Sequence, residues 1–213
     1  MKKLSSTLII ALIGLSSLFA RDITVSVGAG DSWNKGKAPQ LAVWLEDTEG
    51  SYVRTLYVTK KAGLKSWVFS PRDGRPESLP VWYHASRQDS GKGTAKNASG
   101  AEPAVDAVSS ATPKGGVTFT QEISGTSFVI KAEINASFDY NGRWTKKNSG
   151  VNGQPSLVYA GEIPAAGSAA GEEIILRLIG TGAVDGSDGQ VHADLEGLDS
   201  ALALVRMISV SFE

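Results

Sequence analysis

The 213-residue sequence predicts an all-β fold, an antiparallel β-sandwich with long loops. Three observations carry that expectation. Short runs of alternating or continuous apolar residues recur along the chain, and most end in clusters of Gly, Pro, Asn, Asp or Ser. No long segment between them sustains an apolar repeat of 3.6 residues, so an α/β arrangement has no helices to build on.

The chain opens with Lys2 and Lys3, an apolar run over residues 8–15, further apolar residues up to Phe19 and a small residue at Ala20. That order of charge, apolar stretch and small residue is a secretory signal peptide, 1–20, with removal expected near Ala20/Arg21. Ser16 and Ser17 interrupt the apolar run, which is too short for a membrane span. The remainder, 21–213, is expected to form a single sandwich domain in the periplasm or outside the cell. Its candidate strands are residues 23–27, 41–46, 52–59, 65–70, 79–84, 117–123, 128–138, 156–163, 173–179 and 203–212. One short helical turn is expected around residues 195–202, with Asp199 and Ser200 as turn or capping residues.

Residues 128–139 show the cleanest alternation. Phe128, Ile130, Ala132, Ile134, Ala136 and Phe138 are expected on the core face, and Lys131, Glu133, Asn135, Ser137 and Asp139 on the other. That second face is read either as a solvated outer surface or as a polar floor beneath a bound group. Glu133 and Asp139 do not make a glycosidase pair: six residues apart on one strand face, they stand roughly 20 Å apart.

Cysteine is absent, which excludes disulfides, thiol chemistry, iron–sulfur ligation and a lipid-modified cysteine. An electron-carrying role therefore needs an organic cofactor. The two histidines, His84 and His192, are 108 residues apart, so no short-range histidine metal motif exists, and no metal is expected. Residues 184–192 carry acids and glycines as a calcium loop does, but lack the spacing and terminal Glu of an EF-hand and read as a plain turn. Loss of the leader removes two lysines and no acid, taking the formal charge from −1 to −3, and no nucleic-acid footprint follows. No nucleophile elbow, phosphate loop or zinc-binding helix signature occurs, so the protein is expected not to be an enzyme.

Residues 88–116 are dominated by Gly, Ser, Ala, Lys and Asn and read as an inserted exposed excursion between strands. Within it stand Asp106-Ala-Val-Ser-Ser-Ala-Thr112. The run resembles the target motif of the bacterial flavin transferase, which is also found in FMN-binding domains of exported redox proteins. What the resemblance implies is an FMN joined to the Thr112 hydroxyl: the hydroxyl oxygen attacks the flavin-side phosphorus of FAD, a phosphoester forms and AMP leaves. On the same resemblance Asp106 helps the transferase engage the site, Ser109 and Ser110 keep the approach small and polar, and Ala111 leaves room beside Thr112. Ser110 stands where Gly is commonest. The alternative is a flexible loop whose Ser-Ala-Thr-Pro leads into the strand at Val117.

Aromatic residues are available beside a flavin ring: Trp82, Tyr83 and His84 before the excursion, and Tyr140, Arg143 and Trp144 after the alternating strand. Trp44, Trp67 and Trp82 lie in strand-like runs and are expected in the core, whereas Trp33 and Trp144, flanked by Asn, Lys and Gly, are expected to be exposed.

The segments APQLAVWLEDTEGSYVRTLYVTKKAG (38–63), RPESLPVWYHA (75–85), DAVSSATPKGG (106–116), EINASFDYN (133–141) and SGVNGQPSLVYAGEI (149–163) together resemble a bacterial family of predicted periplasmic proteins of unknown function. The first segment is also similar to the immunoglobulin-like domain of flagellar hook-capping proteins, which implies an immunoglobulin-like sandwich. Relatives of the periplasmic family are associated with exported flavin transfer. The resemblance implies an electron carrier with covalent FMN, partnered by the flavin transferase and a membrane-bound redox donor. The alternative is a cofactor-free immunoglobulin-like binding module for a surface glycan, metal complex or envelope protein.

Overall fold

The computed structural model describes residues 20–60, 62, 75–88, 108–110, 115–125, 127–165 and 172–212, with residues 88 and 108–110 through their backbone. Residues 1–19 of the expected leader, 1–20, fall outside that set, and its last residue, Ala20, is the first residue of a strand. Two sheets face each other. The first has four strands in the order β5 (Gly116–Ser124), β1 (Ala20–Ala29), β10 (Val205–Phe212), β8 (Glu173–Ile175). The second has six, in the order β4 (Val108–Ser110), β3 (Tyr52–Thr59), β2 (Gln40–Glu46), β6 (Phe128–Asn135), β7 (Leu157–Ile163), β9 (Arg177–Thr181). Every described pairing is antiparallel except that of β3 with β4. Two short helices, α1 (Pro80–Gln88) and α2 (Lys146–Ser149), and a 3₁₀ turn at Ser200–Ala203 complete the described elements. The protein is the antiparallel β-sandwich that its alternating pattern predicts.

The core follows from the period-2 patterning. Ile23, Val25 and Val27 of β1, Ile208 and Val210 of β10, Leu41, Val43 and Leu45 of β2 and Ile130 and Ile134 of β6 are all buried between the sheets. Tyr57 of β3 stacks on Phe119 of β5 with ring centroids 5.2 Å apart, tying the two sheets together on the side where β4 and β5 form their edges. The outer face of the first sheet carries hydroxyls instead: Thr24 and Thr120 bond across β1 and β5 at 2.8 Å.

The second sheet is buried on both faces. All seven residues of β2 are buried, because Ala42 and Trp44, with Val58 and Val158, form a second core with Leu79, Val81 and Trp82 of the α1 region. The outer face of β6 is therefore not a solvated surface, and Glu133 on it is fully buried.

Several sequence expectations are corrected. Residues 79–84 are not a strand: Pro80 opens α1, where a missing N–H costs nothing at the first helical position, and the β-forming Val81, Trp82 and Tyr83 are recruited into the helix by packing. Residues 173–179 are not one strand but two, β8 in one sheet and β9 in the other, with Leu176 between them buried at the corner. β6 stops at Asn135, and Phe138 leaves the core: it adopts φ 66° in a turn and is 49% exposed. Trp33 is 1% exposed, packed in the main core, and Trp144 is partly buried with its indole Nε1 enclosed. The excursion at 88–116 contains a strand, β4, and α1 reaches its first residue. The strand expected at 65–70, with Trp67, lies outside the described residues.

Candidate functional site

A parallel pair needs a crossover connection, because a tight hairpin returns the chain antiparallel. β3 and β4 are such a pair, and α1 lies on the connection between them, over the outer face of the second sheet. The site is thus a β–α–β unit grafted on the edge of an antiparallel sheet. Its last strand is the described part of the Asp106–Thr112 motif.

Tyr57 pairs with Val108, Val58 with Ser109 and Thr59 with Ser110. Ser109 consequently stands in a register row that crosses all six strands through Val58, Ala42, Glu133, Val158 and Gly180. Ala42, Val58 and Val158 of that row pack beneath α1. Asp106, Ala111 and Thr112 lie outside the described residues, whose chain resumes at Gly115 and enters β5. β4 and β5 are both edge strands of the described sheets.

Glu133 is the chemical centre of the row. Leu79, at the position before the helix, has no side-chain oxygen to satisfy the first N–H groups of α1. The carboxyl of Glu133 does it from another element: Val81 N donates to Oε1 at 3.3 Å and Trp82 N to Oε2 at 2.8 Å. Ser156 Oγ donates to Oε1 at 2.6 Å. Gly182 closes the pocket, since a Cβ there would meet Pro80, Ser156 Oγ and Glu133 Oε1 at 2.5–2.8 Å. Burial pushes the Glu133 carboxyl up to about 7, against the downward pull of the bonds from Ser156, Trp82 and Val81.

The aromatic side chains of α1 are buried on one side of the helix and half-buried on the other. Trp82 Nε1 donates to Thr55 Oγ1 at 2.8 Å, and Trp44 Nε1 donates to Glu46 Oε1 at 2.9 Å. Glu46 also pairs with Lys131 at 2.6 Å. Tyr83 carries the Arg87 guanidinium over its ring at 3.5 Å, and His84 Nε2 donates to Gly186 O at 3.0 Å.

At the end of the sheet beyond β6 a polar network braces the loops. Gln154 Nε2 donates to Asp139 Oδ2 at 3.0 Å and to Asp199 Oδ1 at 2.7 Å, and Ser200 Oγ donates to Asp139 Oδ1 at 2.6 Å. Burial raises the Asp139 carboxyl above the usual range, the Ser200 bond opposes this and the Asp199 charge adds to it. Asp199 caps the 3₁₀ turn, as its sequence position led one to expect. Residues 184–192 form turns in which Asp185 and Asp188 accept from the backbone of Ser187 and Gln190. Among the described residues no group of three metal-ligating side chains converges, and no helix is long and apolar enough to cross a membrane.

Sequence reasoning missed Glu133 as the partner of α1 because its placement depends on an element 50 residues away in the chain. The available signals were Pro80 at a helix-opening position and Arg87 four residues beyond Tyr83.

Sandwich and crossover together define a β-sandwich protein whose motif strand sits at a sheet edge. Residues 21–127, half of the chain, match the family described as predicted periplasmic protein (DUF2271), and the chain belongs to that family. Its location is periplasmic by that description. The resembling segments at 133–141 and 149–163 lie beyond the matched residues. No curated protein and no solved structure matches the chain.

Proposed function

We propose that the protein carries FMN on Thr112 and passes electrons in an extracytosolic flavin-based chain, between a membrane-bound donor and a further acceptor. The observation that supports this is the edge position of β4. Val108, Ser109 and Ser110 are extended and pair only with β3 among the described strands, and an edge strand is a segment that a transferase can enclose. An acceptor hydroxyl two residues beyond Ser110 is tethered within about 7 Å of that strand end by the length of the chain. The residues present suit attachment: a serine-rich edge strand with no bulky side chain in Ser109-Ser110-Ala111. Bound FMN supplies one- and two-electron redox chemistry. The chain's own contribution is to hold the acceptor segment beside the sheet edge.

A second reading is a cofactor-free binding module. It is favoured by Phe138, 49% exposed, whose N–H bonds Val151 O at 2.9 Å, with Val151 itself 41% exposed. A bulky residue with positive φ and a solvent-facing ring is a costly arrangement that function can sustain.

The deciding measurement is the intact mass of the exported protein made together with a flavin transferase, wild type beside Thr112→Ala. Wild type is expected to gain about 438 Da, one FMN residue in phosphoester linkage, and the variant none. An unmodified wild-type mass removes the carrier reading and leaves the binding module.

A further inference from the structure

Among the described residues Glu133 has three partners, all donors, from two places in the fold: two backbone N–H groups of α1 and the hydroxyl of Ser156 beside β7. None is a cation. The charged groups nearest on the same sheet face, Lys131 on β6 and Glu46 on β2, are engaged with each other at 2.6 Å. On α1, Arg87 lies over Tyr83 and His84 bonds Gly186 O. On β7, Glu162 is two strand repeats from Val158, the register partner of Glu133, and Tyr159 faces the main core. In the loop after β9, Asp185 accepts from Ser187. The carboxyl thus sits at 0% exposure with no counter-charge among the described residues, sealed by Pro80 and Gly182.

We propose that Glu133 is a pH-sensitive latch on α1: protonated, it holds the helix against the sheet, and ionised, it favours a locally open state in which α1 lifts and the carboxylate is hydrated. Hydrogen bonds alone argue for a charged carboxylate, but three neutral donors do not replace the water lost by a fully buried ion. A neutral carboxyl meets the same partners without that cost, keeping Oε1 or Oε2 as acceptor and donating its proton to Ser156 Oγ, which accepts as readily as it donates. Opening needs no break in the main core, because α1 covers only the second, smaller cluster of Ala42, Trp44, Val58, Leu79, Val81, Trp82 and Val158. What the open state uncovers is the apolar face of the sheet, in the register row that contains Ser109. An exported protein meets the pH of its surroundings directly, so this device is exposed to its signal.

The sign follows from linkage. A closed state that holds the proton up to about 7 and an open state that releases it near the ordinary 4.5 diverge as pH rises between these values. Above that window the open population is expected to be larger, by a factor on the order of a hundred, than at pH 4.

The test is native-state hydrogen exchange of the Val81, Trp82 and Tyr83 amides from pH 4.5 to 8.5, each rate divided by that of the same amide in an unstructured peptide. In wild type, protection is expected to fall roughly a hundredfold across the window. In Glu133→Gln, which keeps an acceptor and cannot ionise, it is expected to stay level, with His84 unchanged in both proteins. Equal pH dependence in wild type and Glu133→Gln overturns the proposal.

Discussion

Glu133 and Trp82, 51 residues apart in sequence, meet through a 2.8 Å bond from the helix backbone to a carboxyl that no solvent reaches. This contact joins the crossover helix to the centre of the six-stranded sheet, where burial pushes the carboxyl up to about 7 against the pull of that bond. Glu133→Ala leaves Val81 N, Trp82 N and Ser156 Oγ without an acceptor and is expected to cost about 2–3 kcal/mol. Glu133→Gln should be close to neutral near pH 5. In the wild type the folded-state Glu133 carboxyl binds protons more tightly than the unfolded one, so the stabilisation is complete below about 4.5 and lost as pH rises through about 7. The difference in urea-unfolding free energy between Glu133→Gln and wild type is therefore expected to grow in favour of the glutamine over that window, by on the order of 3 kcal/mol.

Glu46 and Lys131 form the second buried polar contact on the same face, and Glu46 also accepts from Trp44 Nε1. Lys131→Met leaves a carboxylate with a 6% exposed side chain without its cation, a loss of about 3 kcal/mol. Adding Glu46→Gln keeps the acceptor for Trp44 and removes the stranded charge, so the double variant should recover most of that loss. Chemical denaturation of the two variants beside wild type checks both steps.

Gly153 forms a parallel bridge with Asp139 and has φ 75°. A Cβ there would stand 2.4–2.6 Å from the Asp139 backbone, which must move to admit it. Gly153→Ala is expected to lower stability by about 2–4 kcal/mol and to break the bonds from Gln154 and Ser200 to Asp139. The melting temperature reads the first effect, and loss of protection at the Gln154 amide, which bonds Asp139 O at 2.9 Å, reads the second.

Phe138 holds a left-handed backbone with its ring half in solvent. Phe138→Asn places a residue that tolerates that conformation and gives up little burial, so a gain of about 1 kcal/mol is expected. If the binding-module reading holds, the same variant gains stability while losing affinity for its envelope partner, a split that calorimetry and a binding titration on one sample would separate.

Alternation alone determined that Ile130, Ala132 and Ile134 of β6 face the main core, because a period of two assigns each side chain to a sheet face without reference to any partner. Absence of cysteine fixed what chemistry the chain lacks, and the leader and motif residues carried the expected export and flavin attachment. Tertiary structure decided what the second face of each strand meets. Val81, Trp82 and Tyr83 favour a strand by propensity, yet fold as a helix because packing over Ala42, Trp44 and Val58 outweighs a preference worth a few tenths of a kcal/mol per residue. For the same reason the polar residues of β6 looked like a solvated surface: periodicity distinguishes one face from the other, but only a helix arriving from a distant part of the chain turns Glu133 from a surface acid into a buried one.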